Sequence, residues 1–98
     1  MVSVSFSEEA ETEYIEALDW YSARSARAGT GFEAAIDETI SRIAESPEQF
    51  PVTDQEGFRF AILNRYPYSL IYRITPSGVQ IVAVAHARRK PGYWSRRV

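Results

Sequence analysis

The spacing of the apolar residues changes near the middle of the chain, and this change restricts the fold more than any other feature. Between residues 8 and 43 they recur every three or four positions, which is the period of helices with one buried face. Between residues 58 and 86 they alternate or form short continuous runs, which is typical of strands. A short alternating segment, residues 2–6, comes before the helices. The sequence therefore predicts the order β-α-α-β-β-β.

Two adjacent amphipathic helices are predicted. Ser7 is a candidate N-cap, so the first helix is expected from Glu8 to about Ala26. Its core-facing positions are Ala10, Tyr14, Ala17, Leu18 and Tyr21, and its solvent-facing acids are Glu9, Glu13, Glu16 and Asp19. The glycines of residues 29–31 are expected to break the helix there and to begin a helical hairpin. The core-facing positions of the second helix are Phe32, Ala35, Ile36, Thr39, Ile40 and Ile43, and this helix ends before Pro47.

Three strands follow an irregular stretch, residues 47–57, which Phe50 is expected to tether to the core. The positions expected to face the helices are Phe58, Phe60, Ile62, Tyr68, Leu70, Tyr72 and Ile74. Because side chains alternate along a strand, Arg59 and Arg73 would then lie on the opposite face of the sheet. The prediction is an α+β fold in which a helical hairpin packs on a mostly antiparallel four-stranded sheet, in one domain over residues 1–98.

The composition excludes several classes of protein. The chain has no cysteine and one histidine, so neither disulfides nor a thiolate metal site can form, and we expect no metal and no cofactor. It has no apolar run near the eighteen residues or so of a membrane span. Residues 1–6 also lack the basic and apolar regions of a signal peptide. We therefore expect a cytoplasmic protein that is not associated with a membrane.

Charge is distributed very unevenly along the chain. Residues 1–49 contain three arginines and eleven acids, a net charge of −8, whereas residues 50–98 contain eight cations and two acids, a net charge of +6. The last thirteen residues hold the single histidine, five cations and the pair Tyr93 and Trp94, with no acid. Such asymmetry indicates an anionic partner, either nucleic acid, an acidic protein or a phosphate-rich surface. Tyr93 and Trp94 either pack back onto the sheet or stack on bases, and His86 either closes a strand or accepts a proton.

Several segments together resemble a known family of toxins. They are residues 58–62 (Phe-Arg-Phe-Ala-Ile), residues 67–74 (Pro-Tyr-Ser-Leu-Ile-Tyr-Arg-Ile) and residues 81–89 (Ile-Val-Ala-Val-Ala-His-Ala-Arg-Arg). With the chain length and the element order, they resemble the RelE/ParE superfamily of type II toxin-antitoxin toxins. The pattern His86-x-x-Arg89-x-Pro91-x-Tyr93-Trp94 is similar to one found in plasmid-stabilisation toxins.

This resemblance implies one of two targets. ParE-like toxins inhibit DNA gyrase by binding it, whereas RelE-like toxins are ribosome-dependent mRNA endonucleases and need cations and proton-transfer groups. RelE-like nucleases carry an arginine where this chain has Ser69, so the resemblance favours the gyrase-binding branch and a protein that is not an enzyme. If it were a nuclease, the candidate catalytic residues would be Arg59, Arg73, His86, Arg88 and Tyr93. A basic nucleic-acid-binding module without toxicity is a third interpretation.

The resemblance also implies partners. A cognate antitoxin encoded nearby would form a hetero-oligomer with this chain, and the cellular target would be gyrase or, in the alternative, the ribosome and mRNA. The residues expected to bind the target are Arg88, Arg89, Lys90, Tyr93, Trp94, Arg96 and Arg97. The residues expected to bind the antitoxin are Tyr14, Leu18, Trp20, Arg59 and Arg73.

Overall fold

The computed structural model of the protein describes residues 1–97 and has the predicted element order. The elements are β1 (Val4–Phe6), α1 (Glu8–Arg24), α2 (Ala26–Glu45), β2 (Arg59–Ile62), β3 (Tyr68–Thr75) and β4 (Gly78–His86), with a 3-10 turn at Pro47–Gln49. Val98, the last residue of the predicted domain, lies outside the described residues. The helical hairpin on a mostly antiparallel sheet is confirmed.

The sheet has the order β1-β4-β3-β2, in which β1 pairs in parallel with β4 and the other pairs are antiparallel. The short β1 covers only the first part of β4, and the pairing runs from Val79 to Ile81. The Ser7 N–H donates to the Ile81 carbonyl as the chain leaves β1 and enters α1. The second half of β4 therefore has an edge that no strand covers, and other groups must satisfy its backbone.

The main core lies between the helices and the sheet, as the periodicity predicts. From the helices, Ala10, Ala17, Phe32, Ile36 and Ile43 are buried in it. From the sheet it receives Ala61, Leu63, Leu70, Tyr72, Val79, Ile81 and Val84. Phe50 also belongs to this core, so the expected tether of the loop is confirmed.

The predicted break between the helices was wrong in position. α1 ends at Arg24, and Ser25 alone links it to α2: its backbone N–H closes the end of α1, while its hydroxyl caps α2 by accepting from the Ala28 N–H at 3.0 Å. The glycines lie inside α2, because Gly29 packs so closely against α1 that a Cβ there would collide with the Ser22 hydroxyl. Close packing, rather than a turn, explains this glycine.

The predicted orientation of the β2 side chains was also wrong. Ala61 and Leu63 face the helices, whereas Phe58 and Phe60 pack on the opposite, outer face of the sheet. Arg59 is paired with Tyr72, whose side chain faces the helices, so the guanidinium lies on that side as well. Ile62, the third member of the predicted set, is exposed. Each face of the sheet carries a buried core, so the more apolar set of positions in β2 did not identify the helical side.

A second core covers the outer face. Trp94 is buried there with Phe58, Ile71, Val82 and Ala83, and the rings of Trp94 and Phe58 meet edge to face at a centroid distance of 5.1 Å. The C-terminal segment therefore forms a third layer of the molecule. Of the two interpretations of Trp94, the structure shows packing against the sheet.

Candidate functional site

The C-terminal segment leaves β4 at the end of the sheet and turns back across the outer face. The Ala87 N–H donates to the Pro67 carbonyl at 2.8 Å, which holds the start of the segment against the turn between β2 and β3. The Arg88 N–H donates to Nδ1 of His86 at 3.0 Å. Gly92, with φ of +79°, lies in the turn that directs Trp94 onto the sheet.

The Glu13 carboxylate fixes the far end of this segment. Its Oε2 accepts from the Tyr93 hydroxyl at 2.9 Å, and its Oε1 accepts from Arg97 Nη1 at 2.9 Å and from the Val84 N–H at 3.0 Å. Arg97 Nη1 also donates to the Val82 carbonyl at 3.3 Å. We call this cluster of Glu13, Tyr93 and Arg97 the anchor. It satisfies two backbone groups, the Val84 N–H and the Val82 carbonyl, on the part of β4 that β1 leaves open.

The anchor is largely shielded from water, since the side chains of Glu13 and Arg97 are 13% and 20% exposed. Burial, together with the hydrogen bond to Glu13, raises the pKa of the Tyr93 hydroxyl, so Tyr93 stays a neutral donor. Burial lowers the pKa of Arg97, but the hydrogen bond and charge of Glu13, together with the nearby Tyr93 and Glu9, outweigh it and raise the pKa overall. Ionic hydrogen bonds in such surroundings are among the stronger ones in proteins.

Glu13 is the important residue that the sequence analysis placed wrongly, on the solvent face of the helix. It follows Ala10 by three residues and precedes Ala17 by four, so it lies on the same stripe as two buried alanines. That spacing was a usable signal. A single acid on an apolar stripe indicates a buried partner, and the partners here come from the far end of the chain.

The remaining cations of the segment are free. Arg88, Arg89, Lys90 and Arg96 are exposed, and the single ion pair within residues 1–97 is the one between Arg97 and Glu13. The Arg89 guanidinium lies 3.8 Å above the centre of the Tyr93 ring, so it is oriented without being neutralised.

A groove of about 390 Å³ lies between the segment and the outer face. Its sheet residues are Phe60, Ser69, Ile71, Ala85 and His86, one wall is the loop of residues 52–55, and the other is residues 89–94. The His86 ring stands perpendicular to Tyr68 at a centroid distance of 5.0 Å. Because Tyr68 packs against the main core, the imidazole lies on the helical side of the sheet, whereas the Ser69 hydroxyl borders the groove, with cations at its rim.

The five candidate nuclease residues do not converge on the groove. Arg59 is on the helical side, where its Nη1 donates to the Glu48 and Phe50 carbonyls at 3.1 and 2.6 Å. Arg73 lies toward the end of β3 that is remote from His86, and its Nε donates to the Gln80 side chain at 2.9 Å. The Tyr93 hydroxyl is engaged by Glu13. Of the five, His86 and Tyr93 border the groove, and Arg88 contacts His86 only through its backbone N–H.

The candidate antitoxin-binding residues lie on more than one surface. Tyr14 and Leu18 are half-buried against the main core, while Trp20 is 51% exposed, with the Arg24 guanidinium 3.2 Å above its ring centre. Arg59 and Arg73 lie on opposite faces of the sheet. The five residues therefore do not form one contiguous patch.

Within residues 1–97, no three carboxylate or imidazole groups come together closely enough to hold a metal ion. In the same part of the chain, neither helix is both long enough and apolar enough to cross a membrane.

Comparisons with known proteins agree with this architecture. A family model described as "ParE toxin of type II toxin-antitoxin system, parDE" matches residues 4–91. A chain of the solved structure "Chromosomal ParDE TA system from P. aeruginosa" has the same fold, with a TM-score of 0.74 and 20% identity, over 88% of this chain and 96% of that chain. No curated protein matches the sequence. The family model covers nearly the whole chain, and the chain therefore belongs to the ParE toxin family of type II toxin-antitoxin systems.

Proposed function

We propose that this protein arrests bacterial growth by inhibiting DNA gyrase in the cytoplasm, and that a cognate antitoxin neutralises it. Membership of the ParE family supports the toxin and the antitoxin partner. Inhibition by binding requires an exposed surface and no proton-transfer site, and the exposed cations of residues 88–90 supply such a surface.

The observation that carries this proposal is that the nuclease candidates do not converge. A phosphodiester cleavage site needs cations beside the scissile phosphate and groups that move two protons. The groove has Ser69 on its sheet face, and a hydroxyl cannot hold a phosphate as a guanidinium does. Arg59 and Tyr93 are bound within the fold, and Arg73 is held by Gln80. A binding function, in contrast, needs only exposed side chains such as the cations of residues 88–90.

Within this proposal, the seven predicted target-binding residues divide into two roles. Arg88, Arg89, Lys90 and Arg96 are exposed and available to the target. Tyr93, Trp94 and Arg97 hold the segment in place and act through the position that they give to the others.

The antitoxin is expected to offer acidic and apolar groups. The exposed cations would attract an acidic segment that folds as it binds, and Trp20 provides an apolar contact beside them. Neutralisation then follows because the antitoxin competes with the target for the same cations.

The test is pulse labelling of DNA, RNA and protein synthesis within minutes of inducing the gene without its neighbour, followed by supercoiling assays with purified gyrase. DNA synthesis should stop first, and the triple variant Arg88→Gln/Arg89→Gln/Lys90→Gln should lower inhibition of gyrase by at least about tenfold, the effect of roughly 1.4 kcal/mol of lost binding. Arg42→Gln, which removes one cation from the distant end of α2, is the matched control. Protein synthesis stopping first, with mRNA cleavage, would refute the gyrase proposal in favour of the nuclease.

A further inference from the structure

Three turns of the chain meet at one end of the molecule. The first joins α1 to α2 at residues 24–27, the second joins β2 to β3 at residues 64–67, and the third is residues 86–92 after β4. The Ala87 N–H bonds to the Pro67 carbonyl, so the second and third turns touch. The ring centroid of Tyr66 lies 5.2 Å from that of Tyr21, near the end of α1, and 5.4 Å from that of Phe32, near the start of α2. The first turn therefore lies at the same end of the molecule as the second.

These turns contain six exposed cations and no acid. The cations are Arg24, Arg27, Arg65, Arg88, Arg89 and Lys90. We call this surface the cationic pole. Two of its members, Arg24 and Arg27, belong to the half of the sequence with net charge −8. The fold therefore gathers positive charge that the sequence distributes over both halves.

Five of the thirteen acids lie toward the opposite end, and the other eight are spread along the two helices and the loop before β2. Glu8, Glu9 and Glu11 lie in the first turn of α1. Because α1 and α2 are antiparallel, the end of α2, with Glu45, and the following Glu48 lie at that end too, where the Val2 N–H bonds to the Ala44 carbonyl. That end therefore carries several acids, whereas the three turns of the cationic pole carry none.

No member of the cationic pole forms an ion pair within residues 1–97. Carboxylates lie beside Arg89 and Lys90: Glu16 shares a cavity of about 430 Å³ with Arg89, Glu8 and Glu9 line another cavity with it, and Asp54 shares the outer groove with both cations. None of these carboxylates reaches a cation of the pole within 4.0 Å. Like charges held together without an ion-pair partner repel one another, and an anionic partner would relieve the repulsion.

We propose that the cationic pole binds the phosphate backbone of duplex DNA directly. Five of its six cations are arginines, whose planar guanidinium groups match phosphate oxygens in pairs. Within residues 1–97, the exposed large apolar side chain beside the pole is Trp20, which lies under the Arg24 guanidinium, whereas protein interfaces are built around clusters of apolar anchors. The pole therefore suits a polyanion better than an acidic protein.

The choice of duplex DNA as the polyanion rests on the proposed gyrase target, because gyrase holds a DNA duplex. A duplex also carries about one charge per 1.7 Å of its axis, which favours a compact group of several cations. The toxin would then touch DNA as well as protein in its inhibitory complex.

The experiment measures fluorescence anisotropy of a labelled 20-base-pair duplex with the purified full chain and without gyrase, at several salt concentrations. Binding should weaken as salt rises, with a log-log slope of about −3 to −5 if most of the six cations contact phosphates. Arg65→Gln/Arg88→Gln should reduce the magnitude of that slope by about 2 and weaken binding at low salt by at least about tenfold. Arg42→Gln, the same chemical change at the acidic end, should leave the slope unchanged, and circular dichroism verifies that all variants are folded.

Three results would overturn the proposal: no duplex binding at about 50 mM salt, equal losses in Arg42→Gln and in the pole variant, or tighter binding of a polyglutamate peptide or single-stranded RNA than of the duplex. The supercoiling assay separates the two proposals. If the duplex binds but gyrase is not inhibited, the gyrase proposal fails and the DNA-binding surface stands. If gyrase is inhibited without any binding of free duplex, the DNA-binding proposal fails alone.

Discussion

The two parts of the C-terminal segment have similar composition and opposite structural roles. Residues 86–90, the free part, carry three exposed cations that have no ion-pair partner within residues 1–97. Residues 93–97, the bound part, contribute Trp94 to the second core and Tyr93 and Arg97 to the anchor. In the sequence, both parts combine arginines with aromatic rings, His86 in the first and Tyr93 and Trp94 in the second. Their structural roles differ because the bound part contacts the carboxylate of Glu13, a residue of α1 that is 80 positions before Tyr93 in the chain.

This difference shows that a cluster of cations in a sequence does not define a binding surface. Arg97 is neutralised by Glu13 and also donates to the Val82 carbonyl, so a target gains little from it. Arg88 and Lys90 meet no such group. Removing residues from the bound part should therefore unfold or loosen the molecule, whereas removing cations from the free part should change only what it binds.

Trp94→Ala should have the largest effect on stability. The substitution removes a buried aromatic side chain and its contact with Phe58, so the free energy of unfolding should fall by about 4 kcal/mol. Urea unfolding followed by circular dichroism measures it. Arg88→Gln, from the free part, is the matched control and should change stability by less than about 0.5 kcal/mol. Equal losses in the two variants would erase the distinction between the two parts.

Glu13→Ala should have the next largest effect. It leaves Arg97, the Tyr93 hydroxyl and the Val84 N–H without their acceptor, which should lower the free energy of unfolding by about 3 kcal/mol. A double-mutant cycle with Arg97→Ala should give a coupling energy of at least about 1 kcal/mol. Coupling near zero would mean that the anchor is not held by this ion pair. Glu16→Ala, one turn along the same helix and exposed, is the control.

The element order, the helix stripes and the fold class could all be predicted, because each depends on local periodicity. The face of β2 could not, since its periodicity is clear but both faces of the sheet are covered. The apolar set with Phe58 and Phe60 faces a layer formed by the end of the chain. Choosing the correct face would have required knowing that Trp94 lies on it.

The site was less predictable than the fold because it depends on contacts between distant segments. Arg59 is identified by its type and spacing as an outer-face cation, yet it binds the carbonyls of the loop on the helical side. The cationic pole was missed for a similar reason: Arg24 and Arg27 belong to the half of the sequence with a net negative charge and join the pole only through the hairpin. The type of a residue indicates which chemistry it can support, but the topology of the fold decides which residues come together on one surface.

Alkaline pH should have the smallest effect, and it tests the anchor without disturbing the free part. The pKa of Tyr93 is raised in the folded state above the ordinary tyrosine value of 10.0. The stabilisation from its neutral hydroxyl is therefore complete below about pH 10 and is lost as the pH rises toward the folded pKa. At about pH 8, Tyr93→Phe should cost about 1.5 kcal/mol for the lost hydrogen bond to a charged group.

The difference in stability between the natural protein and Tyr93→Phe should then shrink as the pH is raised from about 10 to about 11, because only the natural protein has this hydroxyl to ionise. Other buried tyrosines, such as Tyr72 with its pKa raised to about 12, contribute equally to both proteins and cancel. Urea unfolding at each pH measures the difference. A difference that stays constant across this range would mean that Tyr93 does not carry a raised pKa and that the hydroxyl contributes only as a polar contact. Arg88→Gln should follow the natural protein throughout, since its cation has no part in the anchor.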